Sequence, residues 1–168
     1  MTMAKRHAVM DIETRISRLE DVERIRRLKA HYCDLCDEGY DADALIDLFT
    51  ADAVWDGGDL GRFDGRDAIH RFFSNMPNVM SFAIHHITNA AIRIEEDGNT
   101  ATGRWYLLQT ATTRSDSQAV WLAGRYDDEL VREQDRWLFR QVTLQPRFLT
   151  PFEKGWAEVP FADLSGRA

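Results

Sequence analysis

Beyond Met76-Pro77-Asn78 the chain carries no further helical pattern. Four long stretches follow instead: Ile84 to Glu95, Thr100 to Thr113, Gln118 to Arg132 and Trp137 to Phe148. Each reads as a strand. Only short turns separate them: Glu96-Asp97-Gly98-Asn99, a Ser-Asp turn, and Gln134-Asp135-Arg136. Turns this short join antiparallel neighbours, because a parallel return needs a crossover of about a dozen residues or more. The strands are also much longer than the usual five or six residues or so. Long antiparallel strands twist and coil, so a strongly curved sheet is expected.

The helices come first. Ile12, Ile16, Leu19, Val22, Ile25, Leu28, Tyr32 and Leu35 recur at steps of three and four, which predicts one long helix with a charged outer face. Gly39 breaks it, and Asp41 caps a short second helix that buries Leu45, Leu48 and Phe49. Ala53-Val54-Trp55 reads as a first strand, and Phe63 returns as its partner beyond Gly57, Gly58 and Gly61. A third helix opens at Asp64-Gly65-Arg66-Asp67 and closes at Pro77. Helices followed by an antiparallel meander define an α+β domain rather than alternating α/β. The front helices must cover the concave face of the sheet, and the space between the two layers is the default place for a ligand.

Length and charge narrow the possible functions. A chain of 168 residues is one ordinary domain. Residues 1–10 read as a flexible start, 11–160 as the domain and 161–168 as a tail. A formal charge of −7 argues against a nucleic-acid partner. No apolar run approaches the roughly 18 residues of a membrane span. Met1 to Met10 lacks the apolar core of a signal peptide, so a cytoplasmic protein is expected. Cys33 and Cys36 share a face late in the first helix. That position suits two small core residues better than a redox pair, which would sit at a helix N-terminus. No metal is expected, because neither a His-Glu-x-x-His motif nor a carboxylate–histidine cluster occurs.

Tyr32 and Asp37 are the residues that packing does not explain. Five positions on a helix amount to about 140° of rotation, so the two flank the apolar stripe. His85 and His86 lie together in a strand, where neighbours face opposite sides and only one reaches the concave face. Alternation does not choose between them: Ile92 and Ile94 share parity with His86, whereas Ile87 and Asn89 share it with His85. An imidazole oriented by a carboxylate, with a phenol nearby, is a set of parts for removing a proton next to a carbonyl and steadying the enolate. Arg147 follows Pro146 near the end of the last strand, where a guanidinium could reach a pocket mouth.

The segments Tyr32-Cys-Asp-Leu-Cys-Asp37, Leu48-Phe49-Thr-Ala-Asp52-Ala-Val54, His85-His86-Ile-Thr-Asn89 and Gly98-Asn99-Thr-Ala101 together resemble SnoaL-like proteins of the nuclear transport factor 2-like superfamily. The resemblance runs from about Ile16 to Trp156. It implies a cone-shaped α+β fold, with a strongly curved, mainly antiparallel mixed sheet and N-terminal helices closing a concave pocket. Among the eliminating enzymes of this superfamily the sequence is most similar to the bile-acid 7α-dehydratase branch, through Asn99-Thr-Ala-Thr-Gly-Arg104-Trp105-Tyr106-Leu107. Scytalone dehydratase and hexachlorocyclohexane dehydrochlorinase stand further off.

By that resemblance Asp37 and His85 form the catalytic dyad, with Tyr32 donating a hydrogen bond and Arg147 adding positive charge at the rim. The expected function is a cofactor-independent lyase of dehydratase type, acting on a small, ring-containing, mostly apolar molecule. Trp55, Phe82, Trp105 and Trp121 are its candidate walls. An isomerase using the same proton abstraction is one alternative, and a non-catalytic binding or subunit protein is the other. The resemblance also implies a homo-oligomer, dimer or trimer, paired through convex sheet faces.

Overall fold

A computed structural model describes residues 11–162; the expectations for residues 1–10 and 163–168 lie outside them. Helix α1, Ile12–Asp37, starts where Asp11 accepts hydrogen bonds from the Thr14 backbone N–H at 2.9 Å and its hydroxyl at 2.7 Å. Apart from Asp21, its buried residues lie in the second half: Ile25, Lys29, Tyr32, Cys33, Leu35 and Cys36. Ile12, Ile16 and Leu19 are 63, 50 and 70% exposed, so the predicted stripe joins the core only from Val22 onwards. A helix of 26 residues is about 39 Å long and overhangs the layer it covers. Buried Asp21 fastens it there, taking the Trp137 indole N–H at 3.1 Å and the Arg132 guanidinium.

Helix α2, Ala42–Ile46, is a single turn capped by Asp41; strand β1, Phe49–Asp56, takes over at Phe49, earlier than the sequence pattern predicts. Strand β2, Arg62–Asp64, pairs antiparallel with β1 as expected. Helix α3, Arg66–Val79, runs through Pro77 rather than stopping before it. A proline in the last turn removes one hydrogen bond where few remain, so two more residues stay helical before Met80 N–H closes on Met76.

Strands β3 (Met80–Ile94), β4 (Thr100–Thr113), β5 (Ala119–Glu133) and β6 (Arg136–Pro151) form the meander. The spatial order is β2-β1-β6-β5-β4-β3; β1 runs parallel to β6 and every other pair is antiparallel. The sheet is therefore mixed, mainly antiparallel and open. On β4 the odd positions from Ala101 to Thr113 are buried, and on β5 the even positions from Val120 to Leu130, which together form the concave face. No described helix is long and apolar enough to cross a membrane.

The interior is densely aromatic. Tyr32 stands edge-on to Phe49, Phe73, Tyr126 and Phe139, with ring centroids 5.7 to 6.4 Å away. Trp105 lies across its own strand, over Gly103. The depth of the expected pocket between helices and sheet is thus occupied by protein side chains.

Candidate active site

The choice between the two adjacent histidines is made by a bulge. Thr88 pairs with Tyr106 but Ala91 with Arg104, so β3 carries one extra residue. Asn89 takes it up with φ 53°, in the left-handed region that asparagine tolerates better than most residues. Before the bulge odd residues face inward, and His85 and Ile87 pair with the inward Gln109 and Leu107; after it even residues do, and Ile92 and Ile94 pair with Gly103 and Ala101. Both parities in the sequence are correct, each on its own side of Asn89. His86 is exposed on the outer face, opposite Leu108.

Asp37 is the last residue of α1 and meets His85 there. The His85 Nδ1 lies 2.5 Å from Asp37 Oδ1, and the His85 backbone N–H is 3.1 and 3.0 Å from the two carboxylate oxygens. The carboxylate therefore holds both the ring and the strand segment that carries it. Their side chains are 6% and 24% exposed, for His85 and Asp37 respectively. A proton on Nδ1 given to the carboxylate leaves Nε2 as the basic nitrogen. Among the described residues nothing hydrogen-bonds to Nε2.

Tyr32 is one helical turn further in and wholly buried. Its hydroxyl oxygen accepts the Trp55 indole N–H at 3.0 Å, and burial pushes its phenol well above the ordinary range. The phenol's bond is to Trp55, not to the dyad. Of the four candidate walls, Trp55 and Trp105 are inside. Phe82 is half exposed on the outer face, opposite Thr112. Trp121 also faces outward, opposite Thr110, and stacks on Phe152 at 6.1 Å. Each lies one residue away from the inward parity of its strand. Arg147 is exposed at a β6 bulge between Pro146 and Phe148, with β5 and β4 separating it from His85. The structure thus brings Asp37 to His85 and Tyr32 to Trp55, and leaves Phe82, Trp121 and Arg147 apart from both pairs.

Three polar features escape the sequence reading. Lys29 and Asp128 form an ion pair at 2.9 Å with both side chains out of solvent. The Lys29 ammonium sits 3.4 Å from the Tyr126 ring centre and 4.7 Å from that of Tyr32. Burial raises the Asp128 carboxyl to about 6 against the pull of Lys29, and its Oδ1 has no hydrogen-bond partner among the described residues. The signal for this pair is present in the sequence: Asp128 shares the parity of Leu122, Tyr126 and Leu130, and Lys29 precedes Cys33 and Asp37 by four and eight positions. Tyr40 and Gln109 are the other two, both buried beside the dyad. Cys33 and Cys36 are buried free thiols, and burial lifts Cys33 to about 12, away from thiolate chemistry.

Two open hollows of about 530 and 300 Å³ lie elsewhere, one over the outer face at Arg104, Asp127 and Gln145, the other at Phe63 and Phe72. The ionic side chains at the first include Asp127 and Glu129, already paired with Arg125 and Arg140. The dyad, with a free basic nitrogen, is the more reactive arrangement.

Helices packed on one face of an open, curved mixed sheet, with a His–Asp pair at their junction, define a nuclear transport factor 2-like protein. The chain belongs to the SnoaL-like domain family, whose model matches residues 17–143. A candidate aromatic ring hydroxylase from Novosphingobium aromaticivorans is 33% identical, with 79% of this chain and 94% of that one aligned at a TM-score of 0.73. A candidate scytalone dehydratase from the same organism shares the fold at 21% identity, 81% and 90% coverage and a TM-score of 0.75. A type 2 hexachlorocyclohexane dehydrochlorinase does so at 20%, 89% and 98%, and 0.76. No curated protein matches the chain.

Proposed function

We propose that this protein is a cofactor-independent lyase that removes water, or another leaving group, β to a carbonyl on a small, ring-containing, mostly apolar molecule. The observation that carries this reading is the 2.5 Å contact between His85 Nδ1 and Asp37. His85 Nε2 takes the proton, and Asp37 stabilises the imidazolium that forms.

The names of the similar structures support this class: one refers to an aromatic ring, the others to a dehydratase and a dehydrochlorinase. Isomerisation uses the same proton abstraction and differs only in where the proton returns. The packed aromatic interior favours a second reading, a non-catalytic subunit. We also expect a homo-oligomer assembled through the outer face of β3 and β4, where Phe82, Ile84, Tyr106 and Leu108 are exposed.

Deuterium exchange separates these readings without a known leaving group. Incubated with 2-tetralone in deuterated buffer, the protein should accelerate exchange of the α-protons, and His85→Gln should abolish that acceleration. Equal rates with and without the wild-type protein would leave the non-catalytic reading.

A further inference from the structure

His85 and Gln109 are direct cross-strand partners on β3 and β4, and both face inward. Opposed side chains of this kind have Cβ atoms about 5 Å apart. That separation suits a particular chemical demand. A base that removes a proton next to a carbonyl, and a donor that holds the carbonyl oxygen, must be close neighbours, because the C–H and C=O sit on adjacent carbons.

Gln109 is buried between Leu107 and Ala111 on its strand and opposite Leu122, surroundings that give an amide nothing to bond. Tyr40 is buried beside it. Burial pushes the Tyr40 phenol up, and an amide N–H of Gln109 turned towards the phenol oxygen opposes that push. The second amide N–H is left for a ligand.

Tyr40 is in turn held in an unusual place. Its φ is 61°, a left-handed conformation that strains a tyrosine. Gly39, at φ 104°, precedes it, and the Tyr40 N–H closes on the Leu35 carbonyl at 3.0 Å. This turn folds the ring back beneath the end of α1, stacked on Phe73 at 6.4 Å. The chain thus bears backbone strain at Tyr40, just after α1 ends, and the ring so positioned is buried on Phe73.

We propose that Gln109, oriented by Tyr40, is the specificity-determining residue of the site, donating to the oxygen of a cyclic ketone or phenol whose neighbouring carbon faces His85. This rests on the reading of Asp37 and His85 as a proton-abstracting dyad. The ligand class is a compact ring system with one oxygen attached to the ring.

The test compares two ligands of nearly equal shape, 2-naphthol and 2-methylnaphthalene, titrated against the full chain. The wild-type protein should bind 2-naphthol at least tenfold more tightly. Gln109→Leu should remove that preference while keeping affinity for 2-methylnaphthalene, and Tyr40→Phe should reduce the preference in part. Gln109→Met keeps the length but has no donor, and it should behave like Gln109→Leu. It serves as the check if the leucine variant fails to fold. A preference that survives both Gln109 substitutions, a parallel loss for both ligands, or a wild type that takes neither ring would each overturn the proposal. Failure of the dyad reading shows separately, as no acceleration of 2-tetralone exchange by the wild-type protein.

Discussion

Lys29 and Asp128, 99 positions apart in the chain, meet at 2.9 Å with both side chains removed from water. Removing the cation from such a pair strands the anion. Lys29→Met should therefore destabilise the fold by about 3–5 kcal/mol at pH 7.5. Asp128→Asn should cost less, because the Lys29 ammonium it strands keeps the ring faces of Tyr126 and Tyr32. Lys29→Met combined with Asp128→Leu should recover most of the loss. Urea unfolding of the three variants checks this, and equal losses for the two single substitutions would contradict it.

The same carboxyl gives a pH dependence of definite sign. Asp128 is raised from 3.8 to about 6 in the folded protein, so between those values the native state holds more proton than the unfolded chain. Its contribution to stability accordingly grows as pH falls from about 6 towards 4, and is lost as pH rises through that window. Other carboxylates pull the opposite way on acidification, so a difference must be measured. The melting temperature of the wild type minus that of Asp128→Asn should be larger at pH 4.5 than at pH 7.5.

For the dyad, His85→Gln should lower proton exchange at least a hundredfold, within the range of general-base contributions of about 10²–10⁴. Asp37→Asn should lower it less, roughly tenfold, because an amide oxygen can still accept from His85 Nδ1 but does not stabilise the imidazolium. A rate for Asp37→Asn below that of His85→Gln would mean that Asp37 works chiefly by holding the strand, through the His85 backbone N–H.

Gly103 is required by the ring beside it. A Cβ there would come within 1.9 Å of the Trp105 Cη2 atom, an overlap that small adjustments cannot relieve. Gly103→Ala should cost about 1–3 kcal/mol and disturb tryptophan fluorescence. Pairing it with Trp105→Leu should return part of the stability, which a denaturation double-mutant cycle would read directly.

The outer face of β3 and β4 makes a prediction about mass. Ile84→Lys or Leu108→Lys places a cation on the exposed apolar patch and should shift sedimentation towards the monomer, with the melting of the fold itself little changed. A monomeric wild type would remove the expected assembly altogether.

Much of this architecture is legible in the sequence because it depends on periodicity and turns. The order of elements, the extent of α1 and the meander follow from steps of three and four, then of two. The end of α3 is less legible, since proline is a strong stop only where it removes a bond the helix still needs. The geometry around the candidate residues is half legible. Asp37 and His85 stood out, but the histidine's orientation turned on a bulge that asparagine marks only weakly. Phe82 and Trp121 misled because aromatic character says nothing about which face of a strand a residue occupies. Lys29 and Asp128 went unread for the opposite reason: each is a charge in a patterned position, and only its parity betrays it.

The bulge at Asn89 makes β3 two rulers joined out of phase. Upstream, the marks that reach the interior carry the dyad histidine; downstream, they carry the apolar anchors Ile92 and Ile94. Removing one residue at the join would bring the rulers into step, and the strand could then satisfy only one set. With the anchors held, His86 would turn inward and His85 outward, away from Asp37. The contact between His85 and Asp37 is thus tied to a count of residues as much as to their identity.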